Sequence, residues 1–433
     1  MTEESNENFN NLDNFELKND ESCCKKKTCI IITSITILII LLAAAGVLYF
    51  LIFNVKSEII FNDKCEIGEE EKCLSCNKKQ CSSCNPGYKL SGGKCIIDYS
   101  IKAEYYTEEV SEIKLIKNTF SYEINELIID GEITKPCTKY TFNSTGKHKV
   151  YFKSDISKAY SLQALFSGIN NVTLISFSPL FNTENIEYMN EMFENCNLLT
   201  SINISSFNTK NVVDMKSMFS GVRSLKSVDL SNFNLENVVM MDRIFAYSNI
   251  KLVNLSNINA TNLVRLHSSF YGCTSLTSVD FHNFYAPKLW TLELTFVNCF
   301  SLKEVDFTNF YTERLMYLAN TFNNCNSLKS IEINSFNVTS TSYAYYMFYN
   351  CTSLTSVNLK NFNLGIDKDN MFKMFYECPN ITYIDISSFW NRSSNVKLFN
   401  VLPPNGEIIV NSNFINAVRD QIPAGWKKII IEN

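Results

Sequence analysis

One phenylalanine recurs through the second half of the chain at a nearly constant spacing. Phe166, Phe193, Phe219, Phe245, Phe270, Phe296, Phe322, Phe348 and Phe375 lie 27, 26, 26, 25, 26, 26, 26 and 27 residues apart, and a degenerate copy, Phe399, comes after 24. A period of this length confines the chain to a stacked repeat. Each unit is too small to bury its own apolar face, so it must share a core with its neighbours. The unit from Phe219 reads FSGVRSLKSVDLSNFNLENVVMMDRI and contains two local periods in succession. In SLKSVDLSNF the apolar set is Leu225, Val228, Leu230 and Phe233. Val228 and Leu230 alternate with Asp229 and Ser231, as in a strand with one face turned inward. Val238, Met241, Ile244 and Phe245 then recur at short helical steps, which predicts a short helix. Strand, turn, helix and turn make one coil of an α/β solenoid with a parallel sheet on its concave side.

The strand phrase has the L-x-x-L-x-L arrangement of a leucine-rich repeat. Together with NTKNVVDMKSMF (Asn208–Phe219) and the later phrase C-x-S-L-x-S-(V/I)-D-L-S-x-F, it resembles the BspA-like leucine-rich-repeat surface proteins of bacteria and of parasitic or ciliated protists. The resemblance covers roughly residues 160–400. It implies a surface location and adhesion to other cells or to matrix, and it names no ligand. The expected fold is a leucine-rich-repeat array of about nine coils over residues 161–400. A β-rich N-terminal cap is expected over 97–160 and a C-terminal cap over 401–433, because a solenoid needs closed ends.

Ahead of the array lies an apolar run, Ile30 to Phe53, broken only by Thr33, Ser34 and Thr36. At about 1.5 Å per residue such a run spans roughly 36 Å, enough for a hydrocarbon core of ~30 Å. Lys25, Lys26 and Lys27 precede it, while Lys56 and Glu58 come after and cancel. The positive-inside rule then predicts a type II single-pass protein of the plasma membrane, with residues 1–29 as a cytoplasmic tail and everything after Phe53 extracellular. A cleaved signal peptide ending at the Ala43-x-Ala45 pattern is the competing reading. The polar leader before the run and its continuation past Ala45 favour the anchor. Cys23, Cys24 and Cys29 are juxtamembrane thiols and candidates for lipidation.

Cys65, Cys73, Cys76, Cys81, Cys84 and Cys95 crowd into residues 65–95, inside a linker and cysteine-rich module over 54–96. That stretch is too poor in large apolar side chains to build a core, so three disulfides are expected, with the pairing open. The CLSC and CSSC pairs are too close together for an ordinary zinc ribbon. The stretch resembles furin-like and growth-factor-receptor-like modules in its C-x-x-C pairs and CNPGYKL ending, which implies a spacer. Within the repeats Cys196, Cys273, Cys299, Cys325, Cys351 and Cys378 all lie three residues after the anchor phenylalanine. Ile169, Val222 and Ser248 share the column. Small buried thiols fit that exchange, and rung-to-rung disulfides remain open.

The net charge of −5 lacks the basic footprint of a nucleic-acid binder. No phosphate-cradling glycine loop, nucleophile elbow or H-E-x-x-H motif occurs, so neither an enzyme nor a bound metal or cofactor is expected. The outward strand positions instead form a line along the concave face: Ser176, Asn203, Asp229, Asn254, Asp280, Asp306, Glu332, Asn358 and Asp385. Asp280, Asp306 and Glu332 are consecutive acids that a cation or a partner's Lys or Arg would relieve; alternatively they merely keep the face soluble. The next outward column includes Ser231, His282, Thr308 and Asn334. N-x-S/T sequons at Asn143, Asn171, Asn203, Asn254, Asn259, Asn337, Asn350, Asn380 and Asn391 are glycosylation candidates. The functional expectation is a cell-surface adhesion or recognition protein that binds a protein or glycan ligand on another cell or matrix through its concave face. The alternatives are a coat component held by self-association and a receptor with a short tail.

Overall fold

The computed structural model describes residues 73–432 except 78–79, 92–93, 118–122, 314, 334, 363, 365–369 and 391–395. The chain divides into two units, Met1–Tyr99 and Ser100–Asn433. In the first unit β1 (Cys73–Asn77) pairs antiparallel with β2 (Gln80–Cys84), and β3 (Tyr88–Ser91) with β4 (Lys94–Ile97). Cys84 and Cys95 form a disulfide with an S–S distance of 2.07 Å. Cys81 is disulfide-bonded as well, and it and Cys95 are buried. The disulfide-rich module is therefore seen in part, since Cys65 lies outside the described residues and the side chains of Cys73 and Cys76 are not described. The sulfurs of Cys81, Cys84 and Cys95 lie within 4.8 Å of one another. Sulfurs committed to disulfides are not the thiolate ligands a zinc site needs.

The second unit begins with β5 (Ile101–Thr107), β6 (Glu112–Lys114), β7 (Glu123–Ile129), β8 (Glu132–Thr134), β9 (Lys139–Thr141) and β10 (Gly146–Asp155). In β5 the side chains of Ile101, Ala103, Tyr105 and Thr107 alternate inward, as a half-buried strand requires. β10 pairs antiparallel with both β5 and β7. β11 (Val172–Phe177) belongs to the first phenylalanine-anchored unit, yet it pairs antiparallel with β5 and parallel with β12 (Ser201–Asn203). The sheet of the N-terminal part thus runs on into the coils. The coils form a β-solenoid of about eight turns, against the nine or so expected.

The anchor phenylalanines form the spine of that solenoid. From Phe166 to Phe399 each ring stacks on the next, at 5.2 to 6.1 Å between centroids and 2° to 19° between planes. Offset stacking at this separation suits the aromatic quadrupole, and the 26-residue period is what brings the rings into line. Phe193 through Phe375 in this column are fully buried.

The helix expected in each coil is absent. The segments around the anchor phenylalanines are runs of turns; among the described residues the α-helix is confined to α1 (Ile415–Val418). The cause is a pair of left-handed residues four apart that brackets each anchor. Ser217 and Gly221 flank Phe219, Leu294 and Asn298 flank Phe296, and Asn320 and Asn324 flank Phe322, with φ between 55° and 72°. The pattern holds from Ala164 and Gly168 to Lys373 and Glu377. A left-handed residue interrupts the i to i−4 ladder, so alternate N–H groups point along the solenoid axis. Ser217, Phe219 and Gly221 donate to the carbonyls of Asp242, Ile244 and Ala246 in the next coil, at 2.8, 2.8 and 2.7 Å. Three- and four-residue apolar spacing is met equally well by such turns, which is why the periodicity misled.

The thiol column sits just behind the spine. Cys196, Cys273, Cys299, Cys325, Cys351 and Cys378 are free and buried. Each donates its S–H to the carbonyl of an anchor phenylalanine in the preceding coil, at 2.9 to 3.2 Å. Burial pushes the Cys196 and Cys378 thiols up to about 12 and Cys273 to about 11. Alkylation at about pH 8 should therefore leave these six unmodified in the folded protein and label them all once it is unfolded, because only the thiolate reacts. Mass spectrometry reads the difference.

Later strands extend the array: β13 (Leu252–Asn254), β14 (Ser278–Asp280), β15 (Glu304–Asp306), β16 (Leu315–Tyr317), β17 (Ser330–Glu332), β18 (Val338–Tyr343), β19 (Ser356–Asn358) and β20 (Tyr383–Ile386). β21 (Glu407–Asn411) and β22 (Lys427–Ile431) continue in parallel beyond β20. Trp426 is buried beneath them and donates its indole N–H to Pro403 O at 2.8 Å.

The localisation expected from the sequence, a type II single-pass plasma-membrane protein, does not stand. Among the described residues no helix is long and apolar enough to cross a membrane. Residues 30–53, on which that expectation rested, lie outside the described residues, as do the 1–29 tail and its Cys23, Cys24 and Cys29.

Candidate functional site

The concave strands place the outward column in register only in blocks. Asn254, Asp280 and Asp306 pair side by side across β13, β14 and β15. Glu332, Asn358 and Asp385 do so across β17, β19 and β20. Among the described residues no ladder joins β15 to β17, so Glu332 belongs to a different block from Asp280 and Asp306. Asp385 is buried, at 6% exposure, whereas Asp306 and Glu332 are exposed and Asp280 is half-buried. Asn334 and the sequon Asn391 lie outside the described residues.

These side chains have a structural task that the sequence did not disclose. Asp229 Oδ1 accepts the N–H of Ser231 at 2.9 Å, Asp280 that of His282 at 2.8 Å, and Asp306 that of Thr308 at 2.8 Å. Asp385 does the same for Ser387 at 3.0 Å, and Asn203, Asn254 and Asn358 repeat the contact in their own coils. Each is an Asx-turn in which a short side chain satisfies the backbone where the strand bends into the next corner. Hydroxyl and backbone donors from Ser231 hold Asp229 below the usual carboxylate range, and those from Thr308 do so for Asp306. The column is thus a turn-capping column first.

That shift has a sign. A carboxyl whose folded pKa is depressed contributes stability above its unfolded value and loses it as pH falls through the folded value. Lowering pH through and below about 4 should therefore weaken the solenoid. Asp306→Asn keeps the Oδ1 acceptor, so its denaturation midpoint should change less over that range than that of the native chain.

Asparagines reinforce the corners. Asn283 Nδ2 donates to Asn257 Oδ1 and Asn309 Nδ2 to Asn283 Oδ1, both at 2.9 Å. On the opposite side Asn324 donates to Asn298 and Asn350 to Asn324, both at 2.7 Å. Asn350, a sequon residue, is thereby half-buried in a ladder, and Asn171, Asn337 and Asn380 donate to backbone carbonyls of other segments. Asn143, Asn203, Asn254 and Asn259 are exposed.

The concave sheet opens at the third coil. Leu255 N–H donates to Asp280 O, and Asn257 N–H to His282 O, at 2.8 and 2.7 Å. The equivalent bonds from Leu230 to Asn254 and from Asn232 to Ser256 are not made, and residues 225–230 form no strand. Asn232 instead turns its side-chain amide to the preceding coil, donating to the carbonyls of Ile204, Ser205 and Phe207 at 3.3, 3.3 and 3.0 Å. A cleft of about 610 Å³ lies between this coil and the next, lined by Asp229, Ser231, Phe233 and Ile258 among others. The signal for it was present in the sequence: the unit from Phe245 to Phe270 is the 25-residue one, and Ile258 replaces the ring found at Phe233 and Phe284.

An aromatic row on the flank of the coils was also missed. Tyr285 and Tyr311 stack at 5.0 Å and Tyr317 and Tyr343 at 5.4 Å, with Tyr285 and Tyr311 44% and 46% exposed. Their period of 26 is visible at Tyr285 and Tyr311.

Comparison with known families fits this architecture. Residues 160–284 match the family described as Mycoplasma protein of unknown function, DUF285. Residues 267–400 match the BspA type leucine-rich-repeat region in six copies. No curated protein matches the chain. A solved leucine-rich repeat protein from Bacteroides ovatus is similar at 18% identity over 67% of this chain and 90% of that one, with a TM-score of 0.27. The chain accordingly carries leucine-rich repeats of the BspA type over residues 267–400.

Proposed function

We propose that the chain is an adhesion or recognition protein that binds a protein or glycan partner on another cell or on matrix through its concave face. The observation that carries this reading is the registered polar row on β13, β14 and β15. Asn254, Asp280 and Asp306 stand one coil apart in this row, each closing its turn through Oδ1. Extended faces of this kind are where solenoids meet their partners. Saturable binding of the full chain to an array of glycans, matrix proteins and cells tests the proposal. Loss of that binding in Asp280→Lys with Asp306→Lys supports it, and unchanged affinity removes the acidic row from the contact.

A second reading, a coat component held by lateral packing, is favoured by the exposed aromatic row. It predicts concentration-dependent self-association that Tyr285→Ser with Tyr311→Ser abolishes, measured by sedimentation velocity.

A further inference from the structure

We infer that the cleft between the third and fourth coils is a docking site for an extended peptide segment bearing a lysine or arginine. The inference deepens the recognition reading above and rests on it. One wall presents the unpaired N–H groups of Leu230 and Asn232, and the other the unpaired carbonyls of Asn254 and Ser256. In the next two coils the equivalent groups meet each other directly, as in Leu255 to Asp280 and Phe281 to Asp306. Here those bonds are not made, although the two coils are joined on either side by Lys251 N–H to Lys226 O at 3.0 Å and Asn262 N–H to Glu236 O at 3.3 Å, and the side chain of Asn232 is tied to the preceding coil.

Unpaired strand groups facing a common space are a template for an added strand, whose own N–H and C=O groups would complete both walls. The cleft's volume of about 610 Å³ falls within the range of ~300–1,000 Å³ typical of ligand sites. Its charge selects among extended segments. Asp229 and Glu236 line it and no Lys or Arg does, so a basic side chain alternating outward from the added strand would find two carboxylates. Depressed titration of Asp229 through its turn keeps that charge present at neutral pH.

Calorimetry with the full chain, produced without glycosylation because Asn254 is a sequon, tests the inference. The probe is an end-blocked octapeptide of alternating lysine and threonine. Two controls accompany it: the same peptide N-methylated at alternate residues, and one with glutamate in place of lysine. The lysine peptide should bind saturably, and N-methylation should weaken it about ten-fold by removing two or so backbone bonds. Asp229→Asn with Glu236→Gln should weaken it about five-fold, in keeping with exposed charge pairs. Amide exchange at Leu230 and Asn232 should slow on binding, which separates occupancy of the cleft from any general effect of the substitutions. Absence of peptide binding in a chain that still binds the arrayed partners would count against this inference alone, so its failure is distinguishable from failure of the wider reading. No saturable binding, equal binding of the methylated or glutamate peptide, or displacement by a neutral oligosaccharide would overturn the inference.

Discussion

Phe296→Ala is expected to lower the stability of the solenoid by about 3–5 kcal/mol, the usual cost of deleting a buried aromatic ring. Phe296 is fully buried, and its ring lies between Phe270 and Phe322 at 5.2 and 5.3 Å, nearly parallel to both. The substitution leaves a void in the middle of the spine, and two stacking partners each lose a face. The surrounding coils cannot close that void, because their backbones are held in step by hydrogen bonds such as Phe296 N–H to Thr321 O at 2.8 Å. Phe399→Ala should cost less, since its ring stacks on Phe375 at one end of the column. A chemical denaturation series compares the two. Equal losses would mean that the spine does not carry the stability assigned to it.

Asn324→Val is expected to be nearly as damaging, at about 3–4 kcal/mol, through a different cause. Asn324 has φ at +63°, a region that a β-branched residue enters only with strain. Its side chain also donates to Asn298 and accepts from Asn350, both at 2.7 Å. Asn324→Gly separates the two contributions. Glycine adopts the left-handed backbone freely, so that variant loses only the ladder bonds and should be destabilised by about half as much. If valine and glycine prove equally harmful, the left-handed corner is not what shapes the coil. If valine is harmless, the turn assignment itself fails and a helix becomes the better description.

These two residues also mark what the sequence made legible. The phenylalanine column was readable because one ring per coil, at a fixed interval, has no competing explanation. The strand was readable for the same kind of reason: Val279 and Phe281 alternate with Asp280 and His282, and the first pair is buried. The other side of the coil was not, because Met241, Ile244 and Phe245 satisfy a helix and a string of turns alike. The deciding evidence lay one column away, in Gly168, Asn195, Gly221, Gly272, Asn298, Asn324 and Asn350, all with φ between 57° and 72°. Glycine and asparagine at one position of so many units point to a left-handed corner.

The candidate site was legible in its placement and not in its purpose. Asp229, Asp280 and Asp306 do lie in one outward column, but that spacing cannot reveal that each carboxylate closes a turn on the residue two places on. Nor could it show Asp385 buried or the acidic line divided before Glu332, since both depend on how successive coils pair. The cleft depends on a bond that is not made, between Leu230 and Asn254. A missing residue in one unit hints at such a gap, while only the backbone shows where it opens.

Binding of the full chain to arrayed glycans, matrix proteins and cells, run beside its concave-face variant, tests the central claim most directly. The account predicts at least one saturable interaction that Asp280→Lys with Asp306→Lys weakens by about tenfold or more, roughly the effect of reversing two charges in a contact. The same interaction should survive Tyr285→Ser with Tyr311→Ser on the flank. Absence of any saturable partner, or binding that the flank variant abolishes and the concave variant leaves intact, would contradict it.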